Sequence, residues 1–140
     1  MADGSNAPKT TMIATMRYDD APRMIEWLCT AFGFERHFVV PGDHGTIAHA
    51  QLAFGTGMIM LGTARDDEWG AIVKTVADVG ARTGSVYVVV AEIDAHCARA
   101  RTAGAEIVRG PEDTDYGSRE YAARDPEGQV WSFGTYDPWA

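Results

Sequence analysis

The stretch YGSREYAARDPEGQVWSFGTYDP, Tyr116–Pro138, decides the fold. Its centre, Asp125-Pro126-Glu127-Gly128, has the residues of a tight turn, with proline presetting φ and glycine tolerating the left-handed region. The flanks, REYAAR and QVWSFGT, are short and rich in aromatic and β-branched residues, so they read as the two strands of a hairpin. Alternation along the second strand sets Trp131 and Phe133 on a packing face and leaves Val130 and Ser132 on the other. Tyr121, which lies 72 residues after the inward-facing His49 in a repeated order of elements, is expected on the open face of the preceding strand, with Arg119 one step before.

Working outward, SVYVVVA (Ser85–Ala91) reads as a strand and DAHCARARTA (Asp94–Ala103) as a helix ended by Gly104. AEIVRG then supplies a further strand ahead of the hairpin, completing a βαβββ unit. The first half repeats the order. TMIATMRY is a strand, and a helix from about Pro22 to Phe32 has Asp20 as N-cap and Gly33 at its exit. ERHFVVP, TIAHAQLAF and MIMLGT follow as strands. A 72-residue shift lays Thr30 on Thr102, Ala31 on Ala103, Ala50 on Ala122 and Gly62 on Gly134, at equivalent places in equivalent elements. The expected organisation is an arm at 1–9, a first module at 10–63, a connecting segment at 64–84 and a second module at 85–140, all in one compact domain. Trp69, Ile72, Val73 and Val76 in the connecting segment have helical spacing. The fold class is α+β: two tandem βαβββ repeats forming an eight-stranded open trough, a half-barrel with helices on its outer face.

Bulk properties narrow the partners. With 140 residues, a formal net charge of −8 and no basic cluster, the chain is suited neither to nucleic acid nor to an anionic membrane surface. Its longest apolar run is too short to span a bilayer, and its first residues lack the apolar core of a secretory signal. Cytoplasmic localisation is expected, with Cys29 and Cys97 as reduced thiols on helices.

The element order, together with AEIDAHCARARTAGAEIVRGP and YGSREYAARDPEGQVWSFGTYDP, resembles the vicinal oxygen chelate superfamily of glyoxalases, extradiol dioxygenases and bleomycin-resistance proteins. HAQLAFGTGMIML is similar to the corresponding stretch of the PhnB-like branch. The resemblance implies the trough, a homodimer, and in the metalloenzymes a metal on four inward side chains, one from the first and one from the fourth strand of each repeat. Those places fall on Ile13, Met60, Ser85 and Ser132. None is a carboxylate or imidazole, so neither metal nor cofactor is expected there. His37, His44 and His49 are the only histidines close enough in sequence to rebuild such a site elsewhere, whereas His96 reads as a solvent-facing helix residue. The acidic clusters Asp66-Asp67-Glu68 and Glu112-Asp113-Asp115 read as solvated loops.

Alternation gives the trough an amphipathic lining of Thr15, Arg17, His49, Gln51, Met58, Met60, Ser85, Tyr87, Arg119, Tyr121 and Ser132, with Ile13 and Val130 adding apolar surface. Mostly apolar walls with a few convergent polar groups make a small-molecule pocket. Trp69 and Trp139 would serve as flaps over an aromatic ligand, and the acidic balance favours a cationic one. The leading expectation is a protein that binds or sequesters a small amphipathic or aromatic molecule, in the manner of antibiotic resistance. The alternatives are a metal-independent lyase or isomerase with His49 as acid/base and Tyr121 or Tyr87 as donor, and a metal-dependent lyase or dioxygenase with relocated ligands.

Overall fold

A computed structural model describes residues 9–140; the arm expected at 1–9 lies, save for its last residue, outside the described residues. The elements run β1 (Ala14–Tyr18), α1 (Ala21–Phe32), β2 (Glu35–Pro41), a 3-10 turn (Asp43–Gly45), β3 (Ile47–Phe54) and β4 (Gly57–Thr63). Two short helices follow, α2 (Glu68–Ile72) and α3 (Val76–Val79), where the sequence suggests one helical stretch. Then come β5 (Val86–Val89), α4 (Ile93–Thr102), β6 (Glu106–Asp113), β7 (Arg119–Arg124) and β8 (Val130–Gly134). The eight strands form two open four-stranded sheets of matching order, β1-β4-β3-β2 and β5-β8-β7-β6. In each, the first strand runs parallel to the fourth and the other pairings are antiparallel. No helix among the described residues is long and apolar enough to cross a membrane.

The chain divides into two compact units, one running to Cys29 and continuing over Gly33–Thr75, the other comprising Thr30–Phe32 and Val76–Ala140. In the first, α1 starts where its cap dictates: the Asp20 carboxylate accepts the Arg23 amide at 3.2 Å, and Pro22 occupies the first turn, where a missing N–H costs nothing. Met24, Ile25 and Leu28 of α1 are buried, as are Met16, Tyr18, Leu52, Ile59 and Leu61 of the strands. These strand residues share the parity that alternation assigns to the packing face.

The second unit is built around aromatic rings. Phe32 lies 5.5 Å from Trp131 and 4.8 Å from Phe133, and Phe133 stacks on Tyr121 at 4.9 Å, centroid to centroid. Burying this much ring area, in tilted and offset pairs, dominates the unit's apolar stabilisation. The β7–β8 turn is held by a buried carboxylate. Asp125 accepts hydrogen bonds from the amides of Glu127 (3.0 Å) and Gln129 (3.1 Å), while its second oxygen accepts the indole Nε1–H of Trp131 at 3.1 Å.

That turn changes the register expected from the repeat. Leu61 and Phe133 correspond at the 72-residue offset, but Ala50 faces Leu61 while Tyr121 faces Phe133. The β7–β8 connection is therefore one residue longer than the β3–β4 connection, and every β7 side chain turns to the face opposite the expected one. Tyr121 is fully buried on the same face as Phe133, not in an open lining. Arg119 lies on that face too, where its guanidinium donates to Asp94 of α4 at 2.9 and 3.0 Å and to Asp113 at 3.1 Å. These carboxylates hold its pKa above the ordinary arginine value. Glu120 takes the place expected of Tyr121, sharing a face with Ser132.

His96 is also reoriented. Instead of facing solvent it is half-buried, its ring tilted against Phe133 at 4.5 Å. Its Nε2–H donates to the Phe32 carbonyl at 2.7 Å, and in the neutral ring that burial favours its Nδ1 accepts the Tyr121 hydroxyl at 2.6 Å. Burial lowers the His96 pKa below the ordinary 6.5; the Phe32 carbonyl opposes this and Arg99 adds to it. Burial likewise raises the Tyr121 pKa.

Two outcomes follow from this core. Asp125→Ala strands the buried Trp131 indole N–H and two turn amides, and is expected to cost about 2–3 kcal/mol in urea denaturation, with Asp125→Asn retaining part of the loss. Because the folded state depresses the His96 pKa, the unfolded chain protonates first. Its contribution is complete above about pH 6.5 and is lost as pH falls through the lower folded-state value. Thermal midpoints measured from pH 7.5 to 4.5 should show this decline, and His96→Asn should flatten it.

Candidate functional site

In the first unit β1 runs parallel to β4 with Thr15 opposite Met60 and Arg17 opposite Gly62, so Thr15, Arg17 and Met60 rise from one face of the sheet. β3 adds Gln51, opposite Met60, and His49 two residues before it. Together with Arg65 and Trp69 beyond the end of β4, these strands wall a cleft of about 270 Å³ lined by Thr15, Arg17, His49, Met60, Arg65 and Trp69. Alternation anticipates Thr15, Arg17, His49 and Met60. Arg65 lies in a polar connecting segment and carries no periodic signal.

Two glycines set the cleft's walls. A Cβ on Gly62 would collide with the Arg17 guanidinium, so the missing side chain is what lets Arg17 lie across β4. A Cβ on Gly70 would collide with the Arg65 carbonyl, so glycine allows α2 to sit directly on the Arg65 backbone and carry Trp69 over the cleft. Asp67 completes this seat: it caps α2 by accepting the Gly70 amide at 2.9 Å and takes the Arg65 Nε–H at 2.7 Å. Those bonds, the Arg65 one foremost, hold the Asp67 carboxyl below its usual range. Trp69 remains 45% exposed.

The polar groups differ in how well they are satisfied. A β-bulge between Arg36 and Phe38 re-aims His37 toward β3, where its Nδ1 accepts from the Gln51 amide nitrogen at 2.9 Å. The Gln51 carbonyl oxygen accepts the His49 Nε2–H at 2.8 Å. This chain fixes the His49 ring and leaves its Nδ1 as the acceptor. Arg17, by contrast, donates one long hydrogen bond, Nη1 to the Thr63 carbonyl at 3.4 Å, and makes no ion pair among the described residues. Burial, and next the charge of Arg65, lower its pKa, against an opposing pull from Asp67. Locally the cleft is thus cationic, although the chain as a whole carries −8.

In the second unit, Ser132 is half-buried opposite Ala122 and beside Tyr87. The Tyr87 hydroxyl lies against Gly134, where a Cβ would strike it, and donates to the Tyr136 carbonyl at 2.8 Å. Burial, and then the nearby Glu120 charge, raise the Tyr87 pKa. Glu120 is 8% exposed and lies 2.9 and 3.0 Å from the Tyr116 hydroxyl through its two oxygens. The signal that could have located Glu120 is the length of the β7–β8 turn. Ser85 is exposed ahead of β5, Ile13 is half-buried ahead of β1, and Met58 is half-buried on β4 opposite Ala53. Trp139 is 94% exposed near the C-terminus. Among the described residues, no group of three His, Cys, Asp or Glu side chains is placed to hold a metal ion.

Comparison with known proteins agrees with this architecture. The Glyoxalase/Bleomycin resistance protein/Dioxygenase superfamily profile matches residues 11–133. An uncharacterized protein of Mycobacterium bovis is 32% identical over 116 residues, 83% of this chain and 76% of that protein. The crystal structure of TioX from Micromonospora sp. ML1 aligns with a TM-score of 0.70 at 33% identity, covering 89% of this chain and 94% of that one. TnmS3, an antibiotic binding protein from Streptomyces sp. CB03234, shares the fold with a TM-score of 0.64 at 20% identity, over 91% of this chain and 95% of its own. The repeated βαβββ order, the two matching sheets and a family match spanning nearly every element lead to one assignment: the chain belongs to the glyoxalase/bleomycin resistance protein/dioxygenase superfamily.

Proposed function

We propose that this protein is a non-catalytic binder of a small amphipathic, aromatic molecule, held in the cleft of the first unit. The observation that carries the reading is the cleft itself: a half-exposed indole and a methionine beside a guanidinium and an anchored imidazole. Tryptophan and methionine supply adaptable, polarisable surface for a planar ligand, while the fixed polar groups orient it. The fold neighbour TnmS3, an antibiotic binding protein, supports the same reading.

The family's metal chemistry has poor support in these side chains. Ile13 offers no donor, Met60 a soft thioether, and Ser85 and Ser132 neutral hydroxyls, a set that does not fit Zn²⁺, Ni²⁺, Mn²⁺ or Fe²⁺. Acid–base catalysis is less favoured too. Tyr121, a donor that such chemistry would call on, is fully buried with its hydroxyl engaged by His96.

A thermal-shift panel of planar aromatic compounds and antibiotics tests the proposal, since a ligand that binds only the folded state at a hundred times its Kd adds roughly 2.7 kcal/mol. Stabilisation by at least one compound is expected, with Trp69→Ala reducing the shift. A compound turned over by the wild type, and left unchanged by His49→Ala, would overturn the binding-only reading.

A further inference from the structure

The half-buried Arg17 guanidinium has more donors than the protein uses. Arginine carries five N–H donors in a fixed fork, yet the structure gives Arg17 one 3.4 Å bond to a carbonyl and no carboxylate partner among the described residues. A cation withdrawn from water in this way is costly unless something answers it. The neighbouring charges do not. Arg65 adds positive potential, and the carboxylate that opposes it, Asp67, is already engaged by Arg65 and by the Gly70 amide. Asp43 lines a second hollow together with Arg17 without forming an ion pair to it. Glycine at residue 62 of β4 leaves open the space in which the guanidinium tip lies, beside the backbone carbonyls of Ile47 and Ala48. The cleft that Arg17 enters is also the one Trp69 overhangs.

We infer that Arg17 is an anion-recognition residue, and that the molecule held in this cleft is a compact planar aromatic bearing a carboxylate, its ring against Trp69 and Met60 and its carboxylate on the Arg17 fork. This inference rests on the proposed binding function and adds the ligand's charge to it. It replaces the cationic ligand expected from the acidic composition, because binding follows the potential inside the cleft rather than the net charge. A planar carboxylate matches the guanidinium fork in bidentate geometry, and a cleft of about 270 Å³ suits a ligand of one or two fused rings.

The test pairs two isosteric probes, 2-naphthoate and 2-naphthamide, titrated calorimetrically against the full chain. Wild type should bind the carboxylate roughly tenfold or more tightly, the difference expected of one charge-assisted contact. Its advantage should shrink with added salt. Arg17→Gln should equalise the two probes, Arg17→Lys should keep part of the preference, and Trp69→Ala should weaken both alike. Thermal midpoints close to wild type establish that the variants are folded. Equal binding of both probes by wild type would overturn the anionic assignment and leave the cleft reading standing. Binding of neither would overturn the cleft reading itself. A preference that survives Arg17→Gln but vanishes in Arg65→Gln would overturn the role of Arg17.

Discussion

The second unit depends on one buried carboxylate. Asp125 is almost inaccessible to water, and a charge in that position persists only if its lone pairs are used. Two turn amides and the Trp131 indole N–H use them, so one side chain ties the length of the β7–β8 turn to the largest residue of the aromatic core. Strand side chains alternate with period two, so one residue of turn length decides which face β7 presents. The longer turn puts Tyr121 beside Phe133 and Glu120 on the face of Ser132. The His96–Tyr121 bond and the Arg119–Asp94 pair are consequences of that register.

A second constraint is the space left vacant on the fourth strand of each sheet. Gly62 and Gly134, equivalent in the repeat, each lie where a β-carbon would strike a side chain from the adjacent first strand: Arg17 in one unit, the Tyr87 hydroxyl in the other. The same backbone geometry thus houses a cation in one half and a phenol in the other. The local field follows those side chains rather than the overall acidity, because a half-buried charge is screened much less than the solvated carboxylates that make up the net −8.

Much of the first unit's cleft is legible in the sequence. Thr15, Arg17, His49 and Met60 can be named from alternation alone, since β1, β3 and β4 keep a regular pleat and pair without shifts in register. Trp69 stands out as a large aromatic in a polar linker. Arg65 does not, because its place depends on how closely α2 seats on its backbone, a contact that only the neighbouring glycine permits. His37 turns toward Gln51 through a bulge, which breaks the very periodicity used to sort side chains.

By itself, the sequence determined the repeated βαβββ order, the strand and helix identities, the capping of α1 and the apolar parity of most strands. Those properties depend on residues near one another along the chain, and hydrophobic periodicity and capping chemistry are local. Only the tertiary structure decided the register of β7, the burial of His96 against a strand 25 residues away and the isolation of the Arg17 guanidinium. Each of these depends on a contact between segments distant in sequence: a turn amide meeting a carboxylate, an imidazole meeting a phenol, a guanidinium meeting the backbone of a strand that carries no side chain there.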